Sequence, residues 1–129
     1  MSMKPWSSFH TPFNEAEVKR VVPTSAGVYA LCVHYRSGRW GCFYAGKAEN
    51  LEKRLLEHLA DAEPNDCIKE NRKYKCGFCW MEISTEGERC GAEKFLYDNL
   101  KPECNKTDPG GTPLAIPLPP TPANTQPSQ

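Results

Sequence analysis

The sequence predicts a small α/β (α+β) domain of one sheet with a few helices. Two β-rich runs, "GVYALCVHY" from Gly27 and "WGCFYAG" from Trp40, are separated by the turn residues Arg36-Ser37-Gly38-Arg39, which is the pattern of a hairpin. A third β-rich run, "YKCGFCWMEI", follows from Tyr74. Between and after these runs lie two stretches with helical apolar spacing, Leu51 to Leu59 and Glu88 to Leu100. At 129 residues the chain is about one domain long, by the usual ~100–200 residues per domain.

Each element has a local cause. Asn14 caps a short first helix, Glu15 and Glu17 sit in its electropositive first turn, and Pro23 stops it. In the first strand Tyr29, Leu31, Val33 and Tyr35 share one face and Val28, Ala30, Cys32 and His34 the other. Both faces carry apolar groups, so the strand is expected at the centre of the sheet. Asn50 caps the next helix, whose Leu51, Leu55, Leu56 and Leu59 face the core. Arg54 and His58, four residues apart, fall on one face at the edge of that stripe. Pro64-Asn65-Asp66 reads as a turn within a polar loop or short helical excursion. Phe78, Trp80 and Glu82 then share one face of the third strand, opposite Cys79, Met81 and Ile83. The last helix carries Ala92, Phe95, Leu96 and Leu100 with Glu93 on the rim, and Pro102 closes it.

This divides the chain into an N-terminal segment with a short helix (residues 1–25), a folded unit (26–105) and a tail (106–129). The tail holds seven of the twelve prolines and no aromatic residue, so it is expected to be a loose, disordered end. Lys plus Arg equals Asp plus Glu at 16 each, so bulk charge gives no attraction to a polyanion and any such partner must be met by a local patch. No run approaches the ~20 apolar residues of a membrane span. Seven cysteines is an odd number, and Met1 to Phe13 lacks the apolar core of a signal peptide. A reducing cytoplasm, with the cysteines as buried or spare thiols, is the expectation.

Tyr29, Tyr44, Lys47, Arg54, His58 and, in the second half, Glu93 supply the groups that phosphodiester hydrolysis needs. These are a water activator, a cation over the pentavalent phosphorus and an oxygen ligand for a metal ion. Magnesium is content with one or two protein carboxylates and completes its shell with water and phosphate oxygens. Gly27-Val28-Tyr29 and Tyr44-Ala45-Gly46, followed by "GKAENLEKRLLEH" and "AEKFLYDNLKPECN", resemble the GIY-YIG nuclease superfamily, with Ala45 where Ile or Val is usual. The likeness runs from Ala26 to Asn105. It implies a small three-stranded antiparallel sheet flanked by helices and a metal-dependent DNA endonuclease, as in excision repair and homing, using Mg2+ or Mn2+. Tyr29, Tyr44, Lys47, Arg54, His58, Glu93 and Asn105 would be catalytic, and Glu93 would hold the metal. One tyrosine would activate water, its phenol acidified by neighbouring cations.

Lys47, Lys53 and Arg54 are the candidate phosphate contacts. No second module able to read bases is visible, so cutting is expected to be structure-selective or guided by a protein partner rather than sequence-specific. Two other readings compete. One is an inactive nucleic-acid-binding module of the same fold. The other is a zinc-stabilised interaction domain using Cys76 and Cys79 with Cys67, Cys90, Cys104 or His58, although strand positions three apart point to opposite faces. A polyproline ligand in "PLAIPLPPTP" is a further, weaker reading.

Overall fold

The computed structural model describes residues 3–122. In chain order the elements are β1 (Met3–Trp6), α1 (Glu15–Val21), β2 (Gly27–His34), β3 (Trp40–Ala48), α2 (Leu51–Leu59), α3 (Asp66–Asn71), β4 (Cys76–Ile83) and α4 (Glu86–Leu100). The strands form one antiparallel sheet in the order β1-β4-β2-β3. The fold class is as the sequence predicts, with one strand more. Met3–Trp6 is too short, and carries a proline, to show a β pattern. It joins the edge of β4 through the backbone, with Met3 opposite Ile83 and Trp6 opposite Met81. Beyond it Ser7, His10 and Phe13 continue to bond to Trp80, Phe78 and Cys76, so the N-terminal segment borders β4 along its length.

The local signals act as expected. Asn14 Oδ1 accepts the Glu17 N–H at 2.8 Å and Asn50 Oδ1 accepts the Lys53 N–H at 3.0 Å, caps that each contribute about 1 kcal/mol. Central β2 is buried on both faces. One face carries Tyr29, Leu31, Val33, Phe78 and Trp80 into a core closed by Leu51 and Leu55 of α2 and Ile68 of α3. The other carries Val28, Ala45, Met81 and Ile83 against Ala92 and Leu96 of α4. Phe43 is a bulge residue between the pairs Leu31–Tyr44 and Cys32–Cys42, so Phe43 and Tyr44 both pack on the first core. Strict alternation would have separated them.

The tail departs from expectation. Residues 106–122 contain no helix or strand, yet Ile116 is buried in the second core, Leu114 N–H donates to Gly91 O at 2.9 Å, and Trp6 Nε1 donates to Pro117 O at 2.7 Å. Prolines suit this path, because an extended chain crossing a helix needs few donors of its own. The rest of the expected loose end lies outside the described residues.

Cysteine chemistry also differs. Cys67 and Cys104 form a disulfide, whereas Cys32, Cys42, Cys76, Cys79 and Cys90 are free. Among the described residues no helix is long and apolar enough to cross a membrane.

Candidate active site

The site is assembled on the first face of the sheet and around the free edge of β3. Tyr29 stands on β2 directly opposite Gly46 of β3, and Tyr44 sits diagonally, so the two rings lie 6.2 Å apart between centroids. Gly46 is required by this contact. A Cβ there would lie 2.5 Å from Tyr29 Oη, and Tyr29 is fully buried and unable to withdraw. The glycine of the second triplet therefore makes room for the tyrosine of the first. Gly46→Ala is expected to destabilise the fold by about 1–3 kcal/mol through overpacking. Thermal unfolding would register this, and an unchanged midpoint would mean that the ring moves freely.

From α2, His58 reaches under both rings. Tyr29 Oη and His58 Nε2 are 2.7 Å apart, and the Tyr44 ring meets the imidazole edge-on at 5.0 Å. His58 is 1% exposed and its other nitrogen, Nδ1, lies 2.6 Å from Glu63 Oε1. Glu63, also buried, uses Oε2 to accept the Asn65 N–H at 2.8 Å. The network assigns the protons, because a carboxylate only accepts: Nδ1–H donates to Glu63, and Nε2 accepts from Tyr29. Glu63 escapes the sequence reading, since it follows the end of α2 in a stretch without periodicity. Its position just before the Pro64-Asn65-Asp66 turn is the one signal that could have pointed to it.

Burial dominates the electrostatics. It pushes the Tyr29 phenol well above the usual phenol range and Tyr44 above it as well, against the opposing pull of the Arg54 guanidinium. The expectation of an acidified phenol is thus corrected, because removing a phenolate from water outweighs one nearby cation. Burial also lowers the pKa of His58, aided by Arg54, although Glu63 raises it. The imidazole is consequently neutral at neutral pH and able to accept a proton.

A depressed histidine pKa has a defined sign in stability. His58 contributes fully above its unfolded value of about 6.5, and the contribution is lost as pH falls through the lower folded value. The urea midpoint is expected to fall between pH 7.5 and pH 5, and to fall less in His58→Gln. Equal slopes for the two proteins would assign the acid sensitivity to other groups.

Arg54, half-buried on α2, donates from Nη1 to Glu57 Oε1 at 3.1 Å and acts electrostatically on both phenols. A cleft lined by Ala48, Glu49, Asn50, Lys53 and Glu57 opens beside it, with Lys53 exposed. Glu93 comes from α4, on the opposite side of the sheet, and reaches the same place around the β3 edge. Asn105 shows how that edge is organised. Its Oδ1 accepts the Ala45 N–H at 2.9 Å and its Nδ2 donates to Ala45 O at 2.8 Å. Two residues on, the Lys47 N–H points the same way and meets the Glu93 carboxyl. Burial raises the Glu93 pKa, and the charges of Lys47 and Arg54 lower it. Glu93 acts in turn on Tyr29 and Tyr44.

Of the residues singled out in the sequence, Tyr29, Tyr44, Arg54, His58 and Glu93 are thus electrostatically or directly in contact. Lys47 bears on Glu93. Asn105 holds the β3 backbone through both polar atoms of its amide.

The donor set suits a hard divalent cation. Glu93 is a half-buried carboxylate whose charge is disfavoured by its surroundings, and a cation beside it would relieve that. Among the described residues no group of three or more His, Cys, Asp or Glu is arranged to hold a metal, so such an ion would rely on water and ligand oxygens. The zinc reading does not survive the geometry. Cys67 and Cys104 are bonded to each other, both nitrogens of His58 are engaged, and Cys76 and Cys79 lie on opposite faces of a regular strand.

The chain has the fold of solved GIY-YIG endonuclease domains. The solved structures that it resembles are of the GIY-YIG N-terminal endonuclease domain of UvrC from Thermotoga maritima. The magnesium-bound domain gives a TM-score of 0.54 at 22% identity, over 69% of this chain and 96% of that one. A tyrosine-to-phenylalanine mutant bound to its catalytic divalent cation gives 0.53 at 22% identity, over 70% and 97%. No family model matches the sequence, and no curated protein does.

Proposed function

We propose that the protein is a divalent-metal-dependent endonuclease that hydrolyses DNA phosphodiester bonds. The observation that carries this reading is the buried Tyr29 hydroxyl held on the acceptor nitrogen of His58, with Arg54 and Glu93 acting on the same phenol. The likeness to a nuclease domain crystallised with magnesium supports it.

In this mechanism Tyr29 Oη takes a proton from the attacking water as its own proton passes to His58 Nε2. The phenol then never has to carry a full charge in its buried site, which answers its raised pKa. The new P–O bond forms as the bond to the 3′ oxygen breaks, leaving a 5′ phosphate and a 3′ hydroxyl that takes its proton from solvent. Arg54 offsets the charge that builds on the phosphorane, and Tyr44 packs against His58 and keeps water from the imidazole. Glu93 would hold Mg2+ or Mn2+, which supplies charge neutralisation at the departing oxygen.

Recognition would fall to Lys47, Lys53 and Arg54, which contact phosphates and carry no sequence information. Cutting is therefore structure-selective or guided by a protein partner, and the cytoplasm is the proposed setting, where the Cys67–Cys104 bond would have to persist against cellular reductants. Three phosphate contacts predict a slope of about −2.7 in log K against log salt, or an affinity loss of roughly 40-fold between 50 and 200 mM salt. Fluorescence anisotropy with branched DNA would measure it, and an affinity indifferent to salt would remove these residues from the interface. The reading as a whole is tested by incubating the protein with supercoiled, flapped and branched DNA and Mg2+ or Mn2+. Scission of at least one form is expected. Binding without scission would favour the inactive module.

A further inference from the structure

Glu63 has no assigned part in this chemistry, yet its placement is unusual. It and His58 are among the few buried charged or polar side chains, and they lie against each other at 2.6 Å. Burying an acid and an imidazole is unfavourable unless both are fully hydrogen-bonded, and an apolar pair would stabilise the core at least as well. Here every polar atom is engaged. The two Glu63 oxygens take the His58 Nδ1–H and the Asn65 N–H, and the second imidazole nitrogen meets Tyr29.

The loop that carries Glu63 is also held in place. Asn65 Oδ1 caps α3 through the Cys67 and Ile68 N–H groups, and its Nδ2 donates to Cys104 O at 3.0 Å. Arg72 Nη1 donates to His58 O at 2.6 Å and to Ala60 O at 2.9 Å, tying the end of α2 to the start of the loop. The carboxylate is therefore fixed with respect to the imidazole from both sides.

We infer that Glu63 is a positioning residue: it fixes the Nδ1–H form of His58 so that Nε2 presents a lone pair to Tyr29, and it stabilises the imidazolium formed when that proton arrives. The inference rests on the proposed nuclease reading for its catalytic consequence, but the tautomer it requires is a property of the resting protein that can be tested without cleavage. The step balances. One proton moves from Tyr29 Oη to Nε2 as Tyr29 accepts one from water, and the imidazolium releases its proton to solvent as the departing 3′ oxygen takes one up. The other groups facing this pair are Tyr44 from β3, Arg54 and Glu57 from α2 and, across from Tyr29, Glu93 from α4. Arg54 opposes the imidazolium and Glu57 favours it, so among the described residues Glu63 is the one group hydrogen-bonded to the ring that favours charging. It holds the position that a buried aspartate holds in a serine-protease triad.

Glu63→Gln separates charge and tautomer from shape. The Asn65 N–H still demands an acceptor, so the glutamine carbonyl turns toward it and the amide NH2 toward His58. Nδ1 then becomes an acceptor, Nε2 carries the hydrogen, and Tyr29 loses its proton acceptor. Long-range 1H–15N spectra of the full chain should show His58 as the Nδ1–H form in wild type and as the Nε2–H form in Glu63→Gln. An Nε2–H form in wild type would overturn the inference whether or not the protein cuts DNA. On a cleaved substrate, Glu63→Gln should lower kcat about 10²-fold or more, with KM unchanged and the acidic limb of the pH profile displaced. Glu63→Asp, which keeps the carboxylate, should recover part of the rate. Wild-type kinetics in a folded Glu63→Gln protein would equally overturn it. Should no DNA form be cut by wild type, the nuclease reading fails, and the spectra alone decide the role of Glu63.

Discussion

Glu93→Gln is expected to lower the rate of DNA cleavage on the order of 10³-fold while leaving DNA affinity and the folded state intact. The magnitude follows from what a bound cation supplies, several kcal/mol of charge stabilisation at the departing oxygen, with each 1.36 kcal/mol worth a factor of ten. The retained fold follows from the local geometry. A glutamine keeps the carbonyl oxygen that accepts the Lys47 N–H, and it removes a charge that burial already disfavours. The variant should thus be at least as stable as the parent, which separates a lost metal ligand from a damaged protein. Rates at saturating Mg2+ and anisotropy with uncleaved DNA measure the two arms. A rate within threefold of wild type would take Glu93 out of the metal site.

Removing the Cys67–Cys104 disulfide is expected to reduce stability by about 4 kcal/mol, the chain-entropy figure for the span of 37 residues that it closes. Its location gives the loss a functional side. Cys67 sits in the first turn of α3, next to the loop of Glu63 and Asn65, and Cys104 precedes Asn105, which holds the β3 edge beside Tyr44. Asn65 Nδ2 on Cys104 O and Asn71 Nδ2 near Cys104 Sγ reinforce the same junction. The double replacement Cys67→Ser, Cys104→Ser should unfold at lower urea, and a reductant should bring wild type to the same midpoint without moving the variant. Coincident curves under oxidising conditions would show that the bond constrains nothing the fold does not already constrain.

Much of this architecture was legible from short-range rules. The caps at Asn14 and Asn50, the two faces of β2 and the pairing of Arg54 with His58 on one side of α2 all depend on neighbours within a turn or a strand. Other features depend on partners far along the chain. β1 joins the sheet through backbone bonds that any sequence could make, so Met3–Trp6 carries no signature. The bulge at Phe43 is a property of the pair β2–β3 and not of β3 alone. Ile116 lies in a segment whose composition argues against burial, and its partners on α4 and the sheet supply the reason for it.

What the sequence determined by itself was the class of fold and the set of reactive groups, because periodicity, caps and turn residues act locally and the spacing of Arg54 and His58 is set by the helix. What only the tertiary structure decided was the state of those groups. The phenols are raised rather than acidified because the core removes them from water. His58 is an acceptor because Glu63, from a loop without pattern, takes its other nitrogen. Glu93 shares the site with Arg54 because β3 is an edge strand, whose Lys47 N–H the carboxyl of α4 can reach. Each of these depends on burial and on contacts between residues distant in sequence, which no local pattern encodes.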